Sequence, residues 1–263
     1  MISRMKSLYL LLLSCSLTQA AAVHAVLGNG DFGALDLTTA VFTLQGNVGV
    51  QPAGLAEYGG GLYTAPYQGN GIYSVNRNTG AATLVSTATP GPNFYAIGSS
   101  TAGFFGTDSF AVNTLSVNPT TGAVTTIGPL GATTAGLIAT FSNGGSTLYS
   151  AIGGDLYSIN TGTGSAALIG PTGLTGDANQ GWYALVFAGN ALYGIHDNPA
   201  AGGNALYSLN TSTGAATLVA AVSGHPTTIY GLAPVADVPE PSTVAFMAMG
   251  LGLLAVLRRT GKY

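Results

Sequence analysis

The sequence predicts an all-β protein whose body is a β-propeller of five blades, each about 42 residues long. Three observations carry this: a hairpin pattern that recurs along the chain, turn residues fixed within each copy, and a composition suited to strands. Of 263 residues, 40 are glycine, 47% are hydrophobic and only 6% are charged. A soluble domain usually carries about 25% charged residues, so Ser, Thr, Asn and backbone groups must wet this surface. Disordered chains are poor in apolar residues and rich in net charge, and this chain is neither. A net charge of −3 and a pI near 5.3 leave no basic stripe, which excludes nucleic-acid binding.

The first element is a leader. Met1 to Ala25 reads as a secretory signal peptide, with Arg4 and Lys6 as the basic start and Leu8 to Leu13 as the apolar stretch. Val23-His24-Ala25 is the small-residue cleavage site, so signal peptidase would cut after Ala25 and leave Val26 first. Cys15, behind Leu12-Leu13-Ser14, resembles a lipoprotein cleavage box in part only, because Leu13 is large for its slot. Otherwise Cys15 leaves with the leader, and no disulfide staples the mature fold.

The body, residues 26–235, is a repeat. Ile72-Tyr73-Ser74-Val75-Asn76 is followed by Thr79-Gly80-Ala81-Ala82-Thr83-Leu84-Val85, and related copies centre on Asn118, Asn160 and Asn210. A degraded copy opens at Leu35-Asp36-Leu37-Thr38-Thr39-Ala40. From Asp36 through the four asparagines the steps are 40, 42, 42 and 50 residues, a propeller or solenoid period. Each copy is a hairpin in which Asn bonds back onto the local backbone and Gly takes the left-handed position. A second pair of short strands precedes each copy, as in Phe94 to Gly98 with Gly103 to Thr107 and Tyr183 to Phe187 with Ala191 to Ile195. Four strands per repeat make one blade.

Four full blades run from about Pro52 to Val222. The hairpin near Asp31 to Leu44 and a last inner strand, Thr228 to Ala233, would close a fifth from both ends of the domain. A carbohydrate- or ice-binding β-solenoid is the structural alternative. The Trp-Asp ending of WD40 blades and the later aromatic positions of kelch blades are missing. Tyr73, Tyr157 and Tyr207 recur at one strand position and read as packing between blades, and Gly59-Gly60-Gly61 reads as a tight strand connection.

The last element, residues 236–263, is a sorting tail. Pro239-Glu240-Pro241 precedes an apolar run over 244–257, which is followed by Arg258-Arg259 within a basic end at 258–262. The run would form a helix of roughly 21 Å, short for a ~30 Å hydrocarbon core unless the membrane thins and the arginines snorkel. With the basic end inside, the body lies outside. This order of motif, helix and arginine pair resembles the PEP-CTERM sorting signal of Gram-negative bacteria. The resemblance implies an exosortase substrate that is exported across the inner membrane, held there transiently by its C-terminal helix, and destined for the outer surface or medium. It also implies a link to exopolysaccharide and biofilm, but an address and not an activity.

Removing Arg4 and Lys6 at the front and Glu240, Arg258, Arg259 and Lys262 at the back takes the formal charge from −3 to −7 for residues 26–237, where Arg77 is the one basic side chain. That disfavours anionic substrates and suits neutral glycans. In a propeller one face would gather Tyr67, Asp108, Asp155, Asp177, Trp182, His196, Asp197 and His225, so that aromatic faces stack on sugar rings while carboxylates bond their hydroxyls. No catalytic residue is assigned. A calcium ion on Asp155, Asp177 or Asp197 is an alternative without a recognisable calcium loop, and neither zinc spacing nor a nucleophile elbow or phosphate loop is present. The expected role is non-enzymatic binding or organisation of extracellular polysaccharide or matrix proteins. The alternatives are a secreted carbohydrate-active hydrolase or lyase with two acids about 5–10 Å apart, and a purely structural, self-assembling surface protein.

Overall fold

The computed structural model describes residues 22–108, 113–132, 140–174, 181–198 and 203–235. Among them every regular element is a β-strand, and the strands come in groups of four. In the first group β1 (Ala22–Leu27), β2 (Asp31–Asp36) and β3 (Phe42–Asn47) are joined by β20 (Ile229–Pro234), in the order β20-β1-β2-β3. The second holds β4 (Pro52–Tyr58), β5 (Gly61–Pro66), β6 (Gly71–Val75) and β7 (Ala82–Thr87). The third holds β8 (Phe94–Ser100), β9 (Gly103–Asp108), β10 (Asn113–Val117) and β11 (Val124–Pro129). The fourth comprises β12 (Thr140–Asn143), β13 (Leu148–Ile152), β14 (Asp155–Ile159) and β15 (Ala166–Pro171). The fifth comprises β16 (Trp182–Ala188), β17 (Ala191–Asn198), β18 (Gly203–Leu209) and β19 (Ala216–Ala221). The last two merge into one eight-stranded sheet, because β12 and β16 pair in parallel at Ser142 with Leu185 and Asn143 with Val186.

The repeated hairpin forms as its residues dictate. Asn76 Oδ1 accepts the backbone N–H of Asn78 and Thr79, Gly80 donates to the Asn76 carbonyl at 2.8 Å, and Gly80 sits at φ +71°. Asn118, Asn160 and Asn210 repeat this arrangement, while in the first hairpin Asp36 takes the asparagine's part and Ala40, at φ 56°, the glycine's. The two N–H groups of Thr39 and Thr38 hold the Asp36 carboxyl below its ordinary range. All five hairpins carry one bulge at the same place, after Phe32, Ile72, Thr114, Leu156 and Leu206. Gly59 and Gly60, both at positive φ, make the tight β4–β5 connection.

The first strand of each group neighbours the next in a closed cycle, β20 to β4, β8, β12, β16 and back to β20. The core is divided correspondingly. Among the described residues five apolar clusters occur, one between each neighbouring pair of groups. Leu55, Phe32 and Ala233 belong to the cluster between the first two groups, and Leu156, Trp182 and Tyr207 to that between the last two. Tyr207 thus packs between groups as its repeat position predicts, and Tyr157 lies against another such cluster. Neighbouring groups also touch through the turns: a Cβ on Gly164 would lie 2.6 Å from the Gly128 carbonyl oxygen, so backbone meets backbone there.

One expectation meets a different arrangement. The sequence supplied the closing group with a hairpin and an inner strand, but its second position is filled by β1, which starts four residues ahead of the predicted mature start at Val26. β1 pairs β20 on one side and β2 on the other, and Val23, Ala25, Val26 and Leu27 are fully buried. Ala25, the predicted cleavage residue, therefore lies inside a core strand. Most of the predicted leader and all of the tail from residue 236, including the predicted membrane helix, lie outside the described residues. Among the described residues no helix is long and apolar enough to cross a membrane.

Candidate functional site

The order of strands puts the loops that precede β4, β8, β12, β16 and β20 at the same end as those between the second and third strands of each group. Tyr67, Asp108, Asp155, Trp182, His196, Asp197 and His225 all belong to that end. Asp177 lies outside the described residues. Asp31, at the start of β2, joins this end, whereas Asp36, Glu57 and Arg77 lie at the opposite one. Arg77 is spent there on the Gly60 carbonyl at 3.0 Å and on Glu57 at 3.4 Å.

The predicted residues share an end but not a surface. Trp182 and His196 are each only 2% exposed. Their rings meet at 5.0 Å and both meet Tyr207, edge to face, inside the cluster between the last two groups. The Trp182 indole has no open face to offer a sugar, because strand β16 turns it between sheets. Asp108 is bound across its own loop, accepting the backbone and side-chain amides of Asn113 at 3.1 Å each. Asp155 lies beside Tyr157, whose hydroxyl is held above its ordinary range by burial and then by that carboxylate. His225 folds over its own loop, its ring nitrogens 2.7 Å and 3.1 Å from the carbonyls of Thr227 and Val222. Among the described residues no group of three or more His, Cys, Asp or Glu side chains is arranged to hold a metal.

A different set converges at the centre of this end. Tyr67, Tyr95, Tyr183 and Tyr230 line the mouth of a narrow cavity of about 20 Å³, the space of one water molecule. Below them the lining draws on all five first strands, through Gly54, Ile97, Phe141, Leu185 and Leu232. The rings of Tyr67 and Tyr95 lie 4.8 Å apart and those of Tyr183 and Tyr230 5.3 Å apart. Burial, and then a hydrogen bond with Tyr95, raises the Tyr67 hydroxyl well above its ordinary range. Burial and the nearby Asp197 carboxylate raise that of Tyr230. These phenols therefore stay neutral and able both to donate and to accept.

Farther along the strands the cavity is closed by Asn143. Its buried amide donates to the carbonyls of Leu55 and Leu232 and its oxygen accepts the Ser99 hydroxyl at 3.3 Å, so one side chain ties β12 to β4, β20 and β8.

Sequence reasoning missed Tyr95, Tyr183, Tyr230 and Asn143. A signal for the tyrosines was present: Phe94-Tyr95-Ala96-Ile97, Trp182-Tyr183-Ala184-Leu185 and Ile229-Tyr230-Gly231-Leu232 open three first strands in the same pattern. Asn143 carries no such mark. At the opposite end lies a second, open groove of about 410 Å³ with Tyr58, Tyr63, Ser116 and Thr120 among its lining residues.

The comparisons with known proteins bear first on the tail. Residues 237–262 match the family model described as the PEP-CTERM protein-sorting motif. The chain carries a PEP-CTERM motif. That motif implies an exported protein sorted by exosortase and processed at the cell envelope. No protein of curated function matches the sequence.

The body of the chain is similar to solved structures at low identity. One is a structural-genomics protein of unknown function from Bacteroides thetaiotaomicron, at 14% identity and a TM-score of 0.52 over 76% of this chain and 58% of that one. Another is a chain in the crystal structure of a nidogen/laminin complex, at 12% identity and a TM-score of 0.50 over 81% of this chain and 97% of that one. The PEP-CTERM chain thus spans little more than half of the first. At these identities the likeness concerns the fold alone.

Proposed function

We propose that this PEP-CTERM protein is a secreted five-bladed β-propeller that binds neutral extracellular polysaccharide at its tyrosine-lined mouth. The closed cycle of first strands, with one core cluster per neighbouring pair, supports the propeller. Signal peptidase would remove the leader, exosortase the tail, and the body would end at the outer surface or in the matrix, free of enzymatic activity. The observation that carries the binding reading is the convergence of Tyr67, Tyr95, Tyr183 and Tyr230 at one mouth. Four tyrosine rings offer stacking faces and hydroxyl partners to sugar rings, and no Lys or Arg among the described residues lies at this end.

The cavity itself admits no sugar, so the glycan would rest on the rim, with Asp197 and the loop of His225 beside it. The test is binding of the exported, purified protein to the producing cell's own polysaccharide, with and without calcium. Tyr95→Ala with Tyr230→Ala should abolish saturable binding, and Tyr58→Ala at the far groove should leave it intact. The reverse pattern would move the site to the far groove. Shortened polysaccharide chains would favour the hydrolase or lyase reading, and binding restored only by calcium would assign the ion a role.

A second reading, self-assembly, is favoured by one observation. Leu44, Leu84, Leu168 and Leu218 occupy the same place in four outer strands and are 52–62% exposed. β7, β15 and β19 carry no charged side chain, although edge strands are usually protected by charge.

A further inference from the structure

We propose that the leader is cut within the Ala20-Ala21-Ala22 run, so that the mature protein keeps Val23, His24 and Ala25. The inference rests on the export reading above. It starts from β1, which holds the two ends of the described body together. In the sheet order β20-β1-β2-β3, β20 has no partner in its own sheet except β1. Five register positions join them, from Val23 opposite Pro234 to Leu27 opposite Ile229, and five more join β1 to β2, from Ala22 opposite Asp36 to Val26 opposite Phe32.

A cut after Ala25 would leave only Val26 and Leu27 of this strand. Three of the five positions that hold β20 would be lost, and so would the fully buried side chains of Val23 and Ala25, which pack with Leu35, Leu232 and Val186. His24, stacked on Phe32 at 5.4 Å, would go with them. The first group would then keep its hairpin and an unsupported β20, with a vacant slot between them.

Cleavage needs small residues just before the cut. Val23-His24-Ala25 satisfies that rule, but so do Ala20-Ala21-Ala22 and, two residues earlier, Thr18-Gln19-Ala20. Local chemistry does not choose among them. The sheet does, since only the upstream cuts leave β1 able to fill its place. Ala22 stands at the strand's outer end and is only partly buried, so a cut on either side of it is compatible with the fold. The step is a peptide hydrolysis by an envelope signal peptidase. One water is consumed, the leader leaves with a terminal carboxylate, and the mature chain gains an α-ammonium group.

N-terminal sequencing of the protein recovered from the envelope or the medium tests this directly. The expected first residue is Ala21, Ala22 or Val23, with His24 present in the mature chain. A chain that starts at Val26 or later overturns the inference while leaving export intact. One that starts at a lipid-modified Cys15 also overturns it, although β1 would be whole. A chain that still starts at Met1 overturns the export reading, and this inference with it.

Discussion

At the scale of single residues, two buried polar side chains carry unequal burdens. His24 is 6% exposed, and neither ring nitrogen has a hydrogen-bond partner among the described residues. Burial, helped by the positive charge of Arg77, lowers its pKa from 6.5 to about 4. The folded protein therefore binds this proton less readily than the unfolded chain. The contribution to stability is complete above about pH 6.5, falls as the pH drops, and is gone near pH 4. Its size is on the order of 3 kcal/mol. Urea midpoints measured between pH 7 and pH 4 should fall steadily, and His24→Phe should flatten that slope. An unchanged slope in the variant would assign the acid sensitivity elsewhere. Asn143 is the opposite case, a buried amide whose donors are both used. Asn143→Ala should cost about 2–4 kcal/mol in chemical denaturation, because two carbonyls lose their donor and a gap opens. Asn143→Asp should cost more, since a carboxylate would face the Leu55 and Leu232 carbonyls.

At the scale of the element, two glycines at positive φ differ in what they do, Gly49 in the connection between β3 and β4 and Gly164 in the β14–β15 hairpin turn. Gly49 and Gly164 both lie at positive φ, +73° and +79°, but a Cβ on Gly49 meets nothing within 4 Å while one on Gly164 meets the Gly128 backbone. Gly49→Ala should therefore cost only the left-handed strain, about 1 kcal/mol. Gly164→Ala adds a backbone collision between neighbouring groups and should cost at least twice as much. Equal losses in paired thermal melts would mean that the turn does not dock as described. The asparagine and the glycine of each turn are legible in the sequence because their bonds close within six residues. The bulge is less legible, since it depends on how the two strands of the hairpin are offset.

At the scale of the whole molecule, the closed cycle makes both ends of the body interdependent. Removing β20 by ending the chain after Val222 should expose β1 and the cluster that holds Ile229 and Leu232, and should yield aggregated rather than folded protein. Size-exclusion chromatography checks this. The outer circumference makes a different prediction. If the exposed leucines drive assembly, Leu84→Asp with Leu168→Asp should shift sedimentation toward the monomer without moving the melting temperature. If the mouth is the only working surface, the same variant should sediment unchanged and bind polysaccharide as before.

The sequence by itself determined the sorting tail, the all-β class, the hairpin copies and the chain positions of nearly all their strands. Those signals are local: a motif read by an enzyme, a turn closed by its own side chain, an apolar run that alternates. Only the tertiary structure decided that residues 22–25 complete a strand, because its partner β20 lies some 200 residues away in the chain. The same holds for the predicted site. Asp108, Asp197 and His225 reached the expected end because strand order fixes which end a loop is on. Burial of Trp182 and His196 was set by Tyr207 and the neighbouring sheet, and the tyrosine mouth by a cycle of strands far apart in the chain. Local chemistry chooses the turn. Which face of a strand meets water is chosen by whatever packs against it.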